Sequence, residues 1–204
     1  FLIEKELKFL GKALSNPDAT ATDGIALRAK VTDLPAVETT ARQTLVIVPT
    51  ALLGSEIIKL GGKKAFFATD AGLSASGVLE KVYQVLKNSG IPFVLFDKVP
   101  VDPTDRDIDH MAEIAKKEGC NCIIGAGGGS VIVACKGAAL VANNEGKMLD
   151  YVNGEDKYPN PSLLCILMPT NAGTGAEVSK GTTITDSRTK KKTRILGYRH
   201  AVRL

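Results

Sequence analysis

The sequence predicts an α/β domain in which helices cover both faces of a parallel sheet. First, apolar runs of strand length alternate with helix-like segments over short connections from about residue 44 onwards. Second, a glycine cluster, Gly127 to Ser130 with Gly125 before it, stands between one such run and the next helix. Third, 204 residues with 44% apolar and 24% charged content suit one main globular core.

The first 43 residues are predicted to be an N-terminal extension or linker. Apolar residues spaced by three and four predict an amphipathic helix over residues 1–14, which Asn16-Pro17-Asp18 ends. Residues 15–43 show no sustained period. We therefore divide the chain into an extension over residues 1–43 and a domain over residues 44–204.

Strands and helices alternate through the domain. The predicted strands are 45–48, 64–69, 91–96, the run that begins at Cys122, and 163–168. The predicted helices are 55–60, 77–88, one from Thr104 to near Gly119, and one from the glycine cluster to about Ala142. Gly90 supplies a glycine stop after the second helix, and Thr104 with Asp107 forms a capping box for the third.

Three loops follow the carboxyl ends of these strands, at residues 70–72, 125–130 and 170–177. In an open parallel sheet, ligands bind at this edge where neighbouring crossovers go to opposite faces. A glycine turn that opens a helix attracts anions, because unpaired amides and the helix dipole both favour negative charge. Two such loops, one after the strand that begins at Cys122 and one after the strand that begins at Leu163, indicate a site for one nucleotide.

Asp70 has two interpretations of similar weight. It directly follows a predicted strand, so its carboxylate could accept hydrogen bonds from a ribose diol and repel a 2′-phosphate. Alternatively, it is a helix N-cap or turn residue. Glu145, about 20 residues beyond Gly125, is better explained as a turn residue.

Composition and charge disfavour several other classes of protein. A net charge of +4 is mild, and the basic cluster from Arg188 to Arg194 lacks aromatic residues, which favours a solvated turn over nucleic-acid binding. No apolar stretch approaches the roughly 20 residues that cross a bilayer, so we expect a cytoplasmic protein without membrane contact. The four cysteines are interpreted as reduced thiols. His110 and His200 have no partner at metal-ligand spacing, so no metal site is predicted.

Several motifs together resemble the iron-containing (group III) alcohol dehydrogenase family. They are Gly-Gly-Gly-Ser at 127–130, Pro-Thr-Asn-Ala-Gly-Thr-Gly-Ala-Glu-Val at 169–178, Leu-Gly-Gly-Lys-Lys-Ala at 60–65, Ala-Thr-Asp at 68–70, Val-Pro-Val-Asp-Pro-Thr at 99–104 and Thr-Ile-Thr-Asp at 183–186. The resemblance covers about residues 44–198 and implies a Rossmann-like fold, the N-terminal NAD-binding half of the family, without its C-terminal helical metal domain. Residues 1–14 separately resemble a piece of phosphoglycerate kinase, without that enzyme's catalytic residues.

The family resemblance implies reversible hydride transfer between NAD(H) and a primary alcohol or aldehyde. The residues that it implies for the cofactor are Gly127, Gly128, Gly129 and Ser130 at the pyrophosphate, Thr170, Asn171, Thr174 and Gly175 along the cleft, and Asp70 at the adenosine ribose. A divalent metal, iron or zinc, is implied only for a full-length form. The chain alone is therefore expected to bind NAD without being catalytically active, and no catalytic residue is assigned.

The chain departs from the family pattern at two positions of the cleft. Val133 stands where the family usually has aspartate, and Asn171 stands where threonine is usual. One alternative is the glycerol dehydrogenase and dehydroquinate synthase group, against which Thr-Asn-Ala-Gly-Thr-Gly and Ser130 both speak. Another is a non-catalytic interaction module. A homodimer through the predicted strand at 45–48 is also expected.

Overall fold

A computed structural model of the chain describes residues 50–152, 158–171, 173–179, 181–196 and 201–203. The predicted N-terminal helix, the linker over 15–43 and the predicted strand at 45–48 lie outside these ranges. None of the helices within them combines the length and the apolar content that crossing a bilayer requires.

The centre of the fold is a five-stranded parallel sheet. The parallel arrangement is confirmed, whereas the strand at residues 201–203 was not predicted. The strands of the sheet are β1 (Ala65–Ala68), β2 (Phe93–Phe96), β3 (Cys122–Gly127), β4 (Leu164–Pro169) and β7 (Ala201–Arg203). They lie in the order β2-β1-β3-β4-β7, and every neighbouring pair is parallel. A separate antiparallel hairpin consists of β5 (Gly181–Thr185) and β6 (Lys192–Leu196).

Five α-helices accompany the sheet in the described ranges. They are α1 (Leu53–Lys59), α2 (Ala71–Ala75), α3 (Glu80–Asn88), α4 (Asp105–Lys117) and α5 (Gly129–Ala142), with 3₁₀ turns at Thr50–Leu52 and Met148–Tyr151. The Thr104 capping box is confirmed, because the Thr104 amide donates to Asp107 Oδ2 at 2.8 Å and the Asp107 amide donates to Thr104 Oγ1 at 3.4 Å.

Successive side chains of each strand enter two different cores, one on each side of the sheet. Phe66 and Ile123 pack with residues of α4 and α5, whereas Phe67 and Ile124 pack with residues of α1 and α3. Both faces are therefore covered by helices. This explains why the strands are continuous apolar runs, with all four residues of β1 buried.

The start of the helix predicted over 77–88 was wrong, because α3 begins at Glu80. The short helix α2, which lies before residue 77, was not predicted. Gly77 lies between them with φ of 74°, in the left-handed region that a right-handed helix does not use. At the other end, Gly90 with φ of 68° follows α3, so the predicted glycine stop is confirmed.

Candidate functional site

The three loops singled out from the sequence lie at one edge of the sheet. The chain passes from β1 to β2 on one side and then from β2 to β3 on the other side of β1. The strand order therefore reverses between β1 and β3, and ligands of open α/β sheets bind at such a point. Asp70 comes two residues after β1, Gly128 directly after β3, and Thr170 directly after β4. The parallel register places these positions beside one another.

The glycine turn after β3 lets α5 approach the sheet closely. A Cβ atom on Gly125 would lie 2.6 Å from Cys135 Sγ, and one on Gly127 would lie 2.6 Å from Val131 Cγ2. Helix α5 begins at Gly129, and no side chain of the described residues caps it. No described residue outside the helix accepts a hydrogen bond from its first amides, and free amides at a helix N-terminus are the arrangement that binds phosphate.

The second loop closes over this turn, so the two loops share one crevice. The Thr170 amide donates to the Gly127 carbonyl at 3.1 Å. A Cβ atom on Gly128 would lie 3.4 Å from Asn171 Nδ2, and one on Gly129 would lie 3.1 Å from Thr174 Cγ2. Gly175, with φ of 58°, lies in the left-handed region just beyond Thr174. The structure thus brings together the glycines and the Thr/Asn loop that the sequence suggested as a pair.

Asp70 is an N-cap, as one of its two interpretations required. Its Oδ1 accepts a hydrogen bond from the Leu73 amide at 2.9 Å, at the start of α2. Among the described residues, no hydrogen bond reaches Oδ2. Asp70 is half-buried at the strand end, so the second oxygen can still accept a hydrogen bond from a ligand.

Ser130 connects the glycine turn to the loop at 99–104. Its Oγ accepts from the Asp102 amide at 3.3 Å, and Asp102 has φ of 68°. The Asp102 carboxylate pairs with Lys192 of β6, and the Thr185 hydroxyl lies 3.5 Å from it. The hairpin therefore closes one side of the site, a contact that sequence reasoning missed because the partners are 83 and 90 positions apart.

The turn of the hairpin is fixed by two aspartates. The Arg188 and Thr189 amides donate to Asp186 Oδ1, and these bonds lower the pKa of Asp186 to about 2. Asp105 of α4 accepts from the Ser187 amide at 2.6 Å. Arg188 itself is largely exposed, which agrees with the predicted solvated turn.

No role was predicted for Lys136, although it is the one charged residue in the otherwise apolar stretch of α5. Only 1% of its surface is exposed. Its Nζ donates to three carbonyl oxygens of the chain between Ala176 and Gly181, at 2.6 to 3.0 Å. The signal in the sequence was a lysine within an apolar helix, and it was overlooked.

The comparison with protein families gives a match over most of the chain. The family model for iron-containing alcohol dehydrogenase matches residues 46–202. The chain belongs to this family. The expected resemblance is thereby confirmed, and the Rossmann-like fold is shared with the family's solved structures.

The relatives of this chain include several dehydrogenases. The choline dehydrogenase of Bacillus subtilis is 40% identical over 135 residues, 65% of this chain and 34% of that protein. The NAD-dependent methanol dehydrogenase of Bacillus methanolicus is 34% identical over 140 residues, 69% of this chain and 36% of that protein. The NADH-dependent butanol dehydrogenase A of Thermotoga maritima superimposes with a TM-score of 0.69 at 27% identity, over 83% of this chain and 44% of that one. The chain thus spans about a third of the length of the curated relatives it matches.

The described ranges contain no cluster of ligands for the metal that gives the family its name. No group of three or more His, Cys, Asp or Glu side chains there could hold a metal ion. His110 is exposed on α4 beside the ring of Phe96, as expected of a surface residue, and His200 lies outside the described residues. The described residues therefore do not fit a metal ion.

The four cysteines are free and buried. Burial raises the pKa of Cys122 and of Cys165 to about 12 and raises that of Cys135 well above its ordinary value. These thiols are protonated at neutral pH and therefore serve as packing groups rather than nucleophiles.

Proposed function

We propose that this chain is the dinucleotide-binding part of an NAD-dependent alcohol dehydrogenase or aldehyde reductase. The observation that carries the proposal is the shared crevice between the glycine turn after β3 and the loop after β4, at the point where the strand order reverses. Membership of the family and relatives named as methanol, choline and butanol dehydrogenases support a small alcohol or aldehyde as substrate. NAD would supply the hydride acceptor, and the chain would supply its binding and orientation.

Each side of the crevice has a role in the proposal. Gly127, Gly128 and Gly129 leave room for a diphosphate against the first amides of α5, and Ser130 adds a hydroxyl beside them. Thr170, Asn171, Thr174 and Gly175 line the facing side, where hydroxyl and amide groups can bond polar edges of the cofactor. Asp70 Oδ2 would accept from the adenosine ribose.

Titration of the 204-residue chain with NAD by calorimetry tests this function. We expect saturable binding by the chain, with no oxidation of NADH by short aldehydes in the presence of Fe²⁺ or Zn²⁺, because the described residues supply no metal cluster. Absence of NAD binding would reject the proposal and favour the non-catalytic module, in which Val133, whose side chain packs against the core, marks a lost polar contact. Substantial turnover would show instead that the chain is active alone.

Asp70→Asn separates the two roles of that carboxylate. Asparagine keeps an oxygen for the Leu73 amide, so the free energy of unfolding should change by less than about 0.5 kcal/mol. It removes the charge that repels a 2′-phosphate, so the preference for NAD over NADP should fall about tenfold or more. Calorimetric Kd values for both dinucleotides provide the measurement.

Asp70→Ala is the companion variant. It should cost about 1 kcal/mol of stability through loss of the cap. An unchanged cofactor preference in Asp70→Asn would reduce Asp70 to its capping role.

We also propose a cytoplasmic location and a homodimer. Four free buried cysteines support a reducing compartment. The dimer rests on the sequence at 45–48, and light scattering of the purified chain would test it.

A further inference from the structure

One face of helix α5 contacts several residues of the chain that follows β4. Positions 129 and 136 are seven residues apart, close to two full turns, so Gly129 and Lys136 lie on the same side of the helix. The carbonyl of Val133, between them, accepts from Thr182 Oγ1 at 2.9 Å. One face of α5 therefore contacts Thr174, three residues of the following segment (Ala176, Ser179 and Gly181) and Thr182.

The deepest of these contacts is the ammonium group of Lys136. Its Nζ donates to the carbonyls of Ala176 (3.0 Å), Ser179 (2.7 Å) and Gly181 (2.6 Å) and lies 3.0 Å from Ser179 Oγ. A buried ammonium is costly unless its protons are hydrogen-bonded. A backbone path that turns these carbonyls towards α5 provides such bonds, so Lys136 ties the conformation of this segment to the helix.

This path leads directly to the crevice. The Ala176 amide lies 3.3 Å from Thr174 Oγ1, and Thr174 Cγ2 lies 3.1 Å from the place of a Cβ on Gly129. Thr174 is exposed at the crevice, whereas Lys136 is buried about two turns farther along α5. The contacts of Lys136 thus fix how far Thr174 stands from the first turn of α5.

We propose that Lys136 is a positioning residue for dinucleotide binding. It holds residues 174–179 and 181 at the distance from α5 at which both loops can contact one cofactor. This inference rests on the proposed NAD function. Lys136 acts through the loop and does not touch the cofactor, so a neutral side chain of similar length should separate the loops while the sheet stays folded.

Lys136→Met in the 204-residue chain tests the proposal, with Lys87→Met, an exposed lysine of α3, as the control for charge. We expect the NAD Kd of Lys136→Met to rise at least tenfold and the nuclear Overhauser contact between the Thr174 methyl and Gly129 to disappear. Far-UV circular dichroism should stay unchanged. Lys87→Met should bind NAD within twofold of the parent chain.

A folded Lys136→Met protein with an unchanged Kd and an intact Thr174–Gly129 contact would overturn the proposal, even if its melting temperature fell. Should that variant fail to fold, Ser179→Ala decides, because it removes one acceptor and leaves the charge. A Kd about threefold higher supports the proposal, and an unchanged Kd refutes it. Absence of NAD binding in the parent chain would instead reject the proposed function, while the Overhauser contact would still report whether Lys136 holds the loop.

Discussion

Replacing Gly129 by valine is expected to remove most NAD binding while the sheet remains folded. A Cβ at this position already lies 3.1 Å from Thr174 Cγ2, and valine adds two methyl groups that push the loop outwards and cover the first amides of α5. Each lost hydrogen bond to a charged group is worth about 1.5–3 kcal/mol. The Kd measured by calorimetry should therefore rise at least about tenfold for each phosphate contact removed.

Gln84→Val is the matched control for this variant. Gln84 is neutral and exposed on α3, so it receives the same β-branched side chain in a helix outside the crevice. Its Kd for NAD should equal that of the parent chain. Equal binding by Gly129→Val and the parent would mean that the cofactor does not use the first turn of α5.

Replacing Gly125 by valine is expected to produce the largest loss of stability. Gly125 lies in β3 between β1 and β4, where its Cβ would stand 2.6 Å from Cys135 Sγ and 3.0 Å from Cys135 Cβ. Helix α5 would have to move away from the sheet, because interiors are close-packed and have no room to absorb the contact. We expect the free energy of unfolding, measured with urea, to fall by about 3 kcal/mol or more.

Two further variants check the cause of that loss. Thr183→Val, at an exposed position of β5, should change stability by less than about 0.5 kcal/mol. Cys135→Ala removes the sulfur that the new side chain would strike, so it should destabilise a Gly125→Ala background less than it destabilises the parent chain. Additive losses in the double variant would place the strain elsewhere.

The sequence predicted the sheet and the two facing loops because both depend on local patterns. Apolar runs define strands, and the glycines of 125–129 are needed wherever backbone and helix approach closely. Helix α2 was missed because five residues, Ala71–Ala75, are too few to show a helical period. The capping role of Asp70 was predicted as one of two alternatives, since an aspartate after a strand serves a cap and a ligand equally well.

The contacts that complete the site could not be predicted in this way. Lys136 meets residues 40 to 45 positions further on, and Asp102 meets Lys192 across 90 positions. Such pairs depend on how helices and the hairpin pack on the sheet, and spacing along the chain carries no record of that packing. The β5–β6 hairpin was missed for a related reason, because its threonines and lysines form no continuous apolar run.

The proposed binding site for the diphosphate consists mainly of peptide N–H groups at the glycine turn. Peptide groups gain or lose no proton over the pH range in which proteins stay folded, in contrast to lysine- or histidine-based anion sites. The affinity of this turn for the phosphates should therefore not depend on pH. Any variation of cofactor affinity with pH would then arise outside the glycine turn.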